Sequence, residues 1–288
     1  MKVFLNGKLV DKKDAKITVF DHGLLYGDGV FEGIRSYDGL LFKFNEHIDR
    51  LFESAKSIEL NIPMSKEELR DAVIKTLKSN KLKDAYIRLV VTRGAGDLGL
   101  DPRKCKEATV FIITDKIVLY PKEYYENGLF VIIAKTKRNL KGALNPQIKS
   151  LNYLNNILAK IEAIKEDRQE AIMLSHDGYV AECTGDNIFI VRHGVISTPP
   201  LNIGALKGVT RRAVMDIAKR DGIPAKEEMM KPEDIYSADE CFLTGTAAEI
   251  APVTKIDDHV IGNGKPGEVT SRPLEKFHEA TKVDGVRY

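Results

Sequence analysis

The chain has 288 residues, enough for two domains at the usual ~100–200 residues each, and its 44 Lys+Arg against 42 Asp+Glu give a net charge of +2. The two signs are evenly spread, which excludes a basic block for nucleic acid or a charged membrane surface, and no apolar run reaches the ~20 residues of a membrane span. Cys105, Cys183 and Cys241 are odd in number and far apart, which excludes a disulfide framework and a zinc pattern. With an N-terminus that turns polar at once and lacks a signal-peptide core, these features predict a soluble cytoplasmic enzyme.

In chain order, residues 3–5 and 8–10 flank Asn6-Gly7, a pair suited to a primed hairpin turn. Ile48, Leu51, Phe52, Ala55 and Ile58 recur at helical spacing within 46–60. Pro63-Met64-Ser65 stops that helix, and Ser65 with Glu68 reads as a capping box opening a second one. Residues 85–92 and 108–114 are β-rich. The glycines of Gly27-Asp28-Gly29-Val30-Phe31-Glu32-Gly33 are spaced one residue too widely for a dinucleotide fingerprint, and Walker A, zinc-protease and serine-elbow motifs are missing. A change of composition around Tyr120-Pro121-Lys122-Glu123-Tyr124-Tyr125 predicts a linker at 117–127, dividing a smaller domain, 1–116, from a larger one, 128–288. The larger domain then offers strands at 129–134, 171–175, 179–182 and 187–191 and a helix at 209–220. The expected fold is α+β in two domains, with mixed sheets and flanking helices.

The residues with chemistry lie mostly in the larger domain. Leu151, Leu154, Leu158 and Ile161 have the spacing of one helix face, which predicts that Lys149 stands at a helix N-terminus, where the dipole disfavours an ammonium. Such a lysine is either solvated or an amine that attacks a carbonyl. Glu182 shares a strand face with Val180, so it is either a solvated strand end or faces a cation. Lys207-Gly208-Val209-Thr210-Arg211 and Gly245-Thr246-Ala247-Ala248 each read as a Gly-Thr turn opening onto a helix, an ordinary cap or a phosphate site. Amine, carboxylate and two phosphate turns together point to pyridoxal phosphate, with no metal. In the smaller domain Arg50 is a surface arginine or a phosphate clamp. Tyr86 and Arg88 share a strand face that is half exposed or lines a carboxylate pocket.

These segments, with Tyr26 to Arg35, Glu46 to Leu51, Ala85 to Arg88, Lys149 to Tyr153, Glu182 to Phe189 and Gly245 to Ile250, make the chain resemble fold-type-IV pyridoxal-phosphate enzymes nearly end to end, and branched-chain amino-acid aminotransferases most closely. The resemblance implies that Lys149 attaches the cofactor and shuttles the substrate proton, that Glu182 pairs with the pyridine nitrogen and that Tyr153 meets the ring hydroxyl. It implies that Arg50, Val209, Thr210 and Thr246 bind phosphate, and that Tyr86 with the N–H groups of Thr246 and Ala247 holds the substrate α-carboxylate. Arg88 would take the side-chain carboxylate of glutamate, while Tyr26, Phe31 and Gly33 line an apolar pocket with Tyr120 as a further aromatic. The implied reaction exchanges amino groups between leucine, isoleucine or valine and 2-oxoglutarate, in a homodimer or an assembly of dimers. D-amino-acid aminotransferases and aminodeoxychorismate lyases share the fold. The former typically carry glutamine at the Arg88 position and an Arg-x-His pair in the following loop, which is absent from residues 95–102 here. The chain departs from some relatives in having no tryptophan, which they place near Ile117, and in a shorter loop at 94–102.

Overall fold

A computed structural model describes residues 1–116 and 120–288, which form two compact units. The first unit holds 1–116 together with 148–152 and 281–288; the second holds 120–147 and 153–280. The start of the expected linker, with the Ile117 position, lies outside the described residues.

The first unit opens with the hairpin β1 (Lys2–Leu5) and β2 (Lys8–Asp11), turned by Asn6 and Gly7, both at positive φ as the primed turn requires. There follow α1 (His22–Tyr26), β3 (Gly29–Tyr37), β4 (Leu40–Phe42), α2 (Phe44–Ser57), α3 (Lys66–Ser79), β5 (Ala85–Thr92) and β6 (Thr109–Asp115). The expected capping box starts α3: the Glu68 N–H donates to Ser65 Oγ and the Ser65 N–H donates to Glu68 Oε2. Alternation along β3, β5 and β6 sends Val30, Ile34, Ile87, Leu89 and Ile112 into the core that packs on α2 and α3. The opposite face carries Phe31, Gly33, Tyr86 and Arg88.

The second unit contains α4 (Lys122–Asn127), β7 (Leu129–Ile133), α5 (Leu154–Lys165), β8 (Glu170–Leu174), β9 (Val180–Cys183), β10 (Asn187–Arg192), β11 (Val195–Thr198), α6 (Val209–Arg220), β12 (Ala225–Glu227), α7 (Pro232–Tyr236), β13 (Glu240–Gly245), β14 (Glu249–Ile256), β15 (His259–Val260) and α8 (Glu268–Ala280). The last strand of the chain, β16 (Gly285–Arg287), returns to the first unit and pairs with β4. The first sheet runs β16-β4-β3-β5-β6-β1-β2 and is antiparallel throughout. The second runs β12-β11-β10-β13-β14-β7-β8-β9, with β15 on β14, and is mixed, being parallel at β11/β12, β14/β7 and β7/β8. The α+β class with flanking helices is as expected. Among the described residues, no helix is long and apolar enough to cross a membrane.

Two expectations, the linker and the segment around Lys149, are corrected. The described end of the linker is the helix α4, which packs on β14 and so belongs to the second unit. Residues 148–152, and Lys149 with them, belong to the first unit, because they pair with β3 rather than starting a helix; α5 begins five residues later, at Leu154. The apolar stripe of α5 does not face the core: Leu154, Ile157, Leu158, Ile161 and Ile164 are exposed. The small Ala159 and Ala163 face inward instead, where they pack closely against Ile132, Ala171 and Met173.

A buried ion pair lies beside the core of the first unit. Glu32, on the core face of β3, is 0% exposed, and its carboxylate accepts from Arg50 Nε at 2.7 Å, from Arg50 Nη2 at 2.8 Å and from His47 Nδ1 at 2.7 Å. Burial alone would raise the pKa of Glu32, but Arg50 and His47 override it and hold the value at about 2. Burial pushes His47 down, with Arg50 and Lys149 adding to the shift against Glu32. Because Glu32 titrates lower in the folded chain than the ordinary 4.5, its contribution is complete above that value and is lost as pH falls towards 2. Glu32→Gln should therefore cost about 3–5 kcal/mol at pH 7, the range for breaking a buried ion pair. In denaturant titrations the gap between variant and parent should narrow steadily below about pH 4.5. A gap that stays constant down to pH 3 would show that the carboxylate's charge is not what holds Arg50.

Candidate active site

Lys149 is fixed by its backbone. The Phe31 N–H donates to Lys149 O at 3.0 Å, the Leu151 N–H donates to Gly29 O at 3.0 Å, and Val30 and Ser150 form an antiparallel bridge. The segment thus adds to the start of β3 on the side where β4 does not reach, since β4 pairs only with Ser36 and Tyr37. From α2, the buried Ser54 Oγ accepts the N–H of Lys149 at 3.2 Å. The side chain turns to the pocket face of the sheet, with Nζ 4.7 Å from the centroid of the Phe31 ring.

The same ring carries a second cation, the Arg88 guanidinium, with Cζ at 4.4 Å. Both contacts fall within cation–π range. Gly33 lies opposite Arg88 in the β3/β5 register, and the Tyr86 hydroxyl rests on it: a Cβ there would stand 2.1 Å from that oxygen, so a larger residue would displace the Tyr86 ring. Lys149, Phe31, Gly33, Tyr86 and Arg88 are thus gathered on one face of the first unit. Arg50 is held from the core side through Glu32. Tyr26 ends α1, its hydroxyl accepting the Gly99 N–H at 3.0 Å and its ring standing edge-on to His22.

In the second unit Glu182 is buried on β9 and does face a cation, the side chain of Arg138, with Nη2 2.5 Å from Oε1. Its other oxygen accepts from the Leu206 N–H at 2.8 Å and from Asn187 Nδ2 at 3.1 Å. Arg138 is itself braced by Asn156 Oδ1 at 3.0 Å and Gly204 O at 3.3 Å. A carboxylate offers about four lone-pair positions, so three donors leave one for a further N–H.

Gly208 does open onto a helix. It is the N-cap of α6 in extended conformation and no side chain caps that end, so the first turn, with Val209 and the buried Thr210, has the backbone arrangement that suits an anion. The second Gly-Thr turn is corrected: Thr246, Ala247 and Ala248 join β13 to β14 in a hairpin closed by the pair Gly245↔Glu249. One residue before it, Thr244 Oγ1 is buried without a hydrogen-bond partner. Tyr153 is the N-cap of α5, and Tyr120 packs into the second unit's core beside Tyr124 and Tyr125.

These groups fit pyridoxal 5′-phosphate: an amine on a fixed backbone, a carboxylate with one acceptor position left, and an uncapped helix end for a phosphate. Among the described residues no cluster of three or more His, Cys, Asp or Glu side chains could hold a metal ion. Sequence reasoning missed Glu32, His47, Arg138 and Asn187. Glu32 had a signal, since alternation puts it between Val30 and Ile34 on the core face, where a carboxylate needs a partner. His47 and Arg50 are spaced i, i+3 on one helix face. Arg138 lies in a stretch without periodicity and had none.

The model of the amino-transferase class IV family matches residues 29–256. A protein of Methanocaldococcus jannaschii provisionally named a branched-chain-amino-acid aminotransferase is 54% identical over 287 residues, covering 100% of this chain and 99% of the relative. The crystal structure of the Escherichia coli branched-chain amino acid aminotransferase superposes with a TM-score of 0.94 at 36% identity, over 96% of this chain and 93% of that one. A D-alanine aminotransferase of Listeria monocytogenes is 37% identical over 99% of this chain and 98% of its own length. The chain belongs to the class IV aminotransferases, the fold-type-IV family of pyridoxal-phosphate-dependent transaminases.

Proposed function

We propose that the chain exchanges amino groups between L-leucine, L-isoleucine or L-valine and 2-oxoglutarate, giving branched-chain 2-oxo acids and L-glutamate in the last step of branched-chain amino-acid biosynthesis. The observation that carries this reading is Arg88 over the Phe31 ring, on the strand face shared with Tyr86 and next to Lys149. The two half-reactions must bind a side-chain carboxylate and an aliphatic side chain in turn. A guanidinium lying on an aromatic ring serves both, because the ring offers apolar surface and the cation stays at its rim.

Pyridoxal phosphate, when bound, supplies an aldehyde and a protonated ring that draws electrons from the substrate Cα. Lys149 is the attachment point and then moves the proton at Cα. Glu182, oriented by Arg138, accepts the ring N–H, and Tyr153 meets the ring hydroxyl. Arg50, Thr210, Thr246 and the Val209 N–H bind phosphate. The α-carboxylate goes to the Tyr86 hydroxyl and the N–H groups of Thr246 and Ala247, and Phe31, Gly33 and Tyr26 line the side-chain pocket. The exposed stripe on α5 supports assembly as a homodimer, since five large apolar side chains on one helix form a patch that a second copy would cover. All three cysteines are free, in keeping with a cytoplasmic setting.

A second reading, a D-amino-acid aminotransferase, is favoured by the Listeria relative. A panel of L- and D-amino acids with 2-oxoglutarate as acceptor separates the two: the proposal expects L-leucine, L-isoleucine and L-valine to be turned over and D-alanine to be inert. Preferred turnover of D-alanine would replace the first reading with the second.

Arg88 gives the sharper test. Arg88→Gln should lower kcat/KM of the glutamate half-reaction by roughly 2–5 kcal/mol, the range for removing a desolvated charge partner, and should affect the leucine half-reaction much less. Equal losses in the two single-turnover half-reactions would mean that Arg88 supports the strand or the α-carboxylate, and the dual-substrate account would fail.

A further inference from the structure

The turn carrying Thr246 and Ala247 is gripped at its far end by two contacts that the reaction does not require. Glu249, the residue that closes the hairpin, has φ +58°, in the left-handed region that a residue with a side chain adopts at a cost. Its side chain is held from α8: His278 Nε2 lies 2.9 Å from Glu249 Oε2, with the glutamate side chain 13% and the imidazole 50% exposed. The neighbouring Phe277 is fully buried and anchors that helix. On the other side of the turn, the Tyr125 hydroxyl on α4 donates to Ala248 O at 3.1 Å. At the entry to the turn the Gly245 backbone passes close to Asp186, since a Cβ there would stand 1.8 Å from Asp186 Oδ1. Side chains thus bear on the turn at both ends.

We propose that Glu249, latched by His278, and Tyr125 are positioning residues that aim the Thr246 and Ala247 N–H groups at the substrate carboxylate. This rests on the reading of that turn as the α-carboxylate site. A backbone N–H donor discriminates an anion only when aligned within a few tens of degrees of the oxygen, and rotation about the Glu249 backbone would turn the donors away. The latch itself touches no reacting atom. Its loss should weaken carboxylate binding while leaving the cofactor in place.

The test uses the purified holoenzyme and 4-methylpentanoate, which has the carboxylate and side chain of leucine without the amine, against the neutral 4-methylpentanamide. Calorimetric titration of the parent enzyme should show a clear preference for the acid. Glu249→Ala should bind the acid roughly 10-fold more weakly, the scale of a lost charge-assisted hydrogen bond, and bind the amide as before. Glu249→Gln, whose amide oxygen still accepts from His278, should restore binding of the acid, and Tyr125→Phe should weaken it as Glu249→Ala does. Glu249→Gly separates aim from stability: glycine suits φ +58°, so this variant should melt higher than Glu249→Ala and still bind the acid as weakly. Acid binding that instead follows melting temperature, with Glu249→Gly close to the parent, would overturn the positioning role. A parent enzyme that does not distinguish acid from amide would overturn the carboxylate reading of the turn, whatever the variants do.

Discussion

The pairing of residues 148–151 with the free edge of β3 is the constraint on which the rest depends. A lysine has four flexible methylene groups, and its amine is useful to a reaction only if the backbone beneath is immobile. Here the peptide groups on both sides of Lys149 are hydrogen-bonded, to β3 through Gly29 and Phe31 and to α2 through Ser54. An unpaired strand edge readily accepts a further strand, and β4 leaves that edge open by pairing only with the far end of β3. The nine residues of β3 then serve three purposes. The core face buries Glu32, which holds Arg50 on α2; the pocket face carries Phe31 and Gly33; the edge carries Lys149.

The second unit works by a different principle. Its candidate anion sites are made of backbone N–H groups, at the N-terminus of α6, which no side chain caps, and in the β13–β14 turn. The buried carboxylate of Glu182 is oriented by Arg138 and by the Leu206 N–H, an arrangement that offsets the cost of burying its charge while leaving acceptor capacity. In the first unit Arg50 is thus held by the more deeply buried Glu32, and in the second Glu182 and Arg138 are buried as a pair.

Much of this was legible in the sequence, and the failures have a common cause. The hairpin at Asn6-Gly7, the capping box at Ser65, β5 and α6 were fixed by local chemistry, and they appear where that chemistry puts them. The start of α5 was misread because Leu151 fits the helical spacing by chance, while the decisive partner of its segment, β3, lies more than a hundred residues away in the chain. The spacing of the α5 stripe predicted a helix face but not its direction: the sheet beneath takes alanines, and periodicity cannot say which face of a helix turns inward. The hairpin at Thr246 was read as a helix because Gly-Thr-Ala-Ala-Glu suits both a cap and a turn. The site residues carried by ordered motifs were named from the resemblance, but their supports, Glu32, His47 and Arg138, depend on long-range pairing and emerged only with the fold.

The most direct test of the account is the identity of the lysine that carries the cofactor. Holoenzyme reduced with borohydride, digested and mapped by mass spectrometry should show the pyridoxyl phosphate on the peptide containing Lys149 and on no other. Label on a different lysine, such as Lys207 beside the N-terminus of α6, would contradict the claim that the β3 edge fixes the reacting amine.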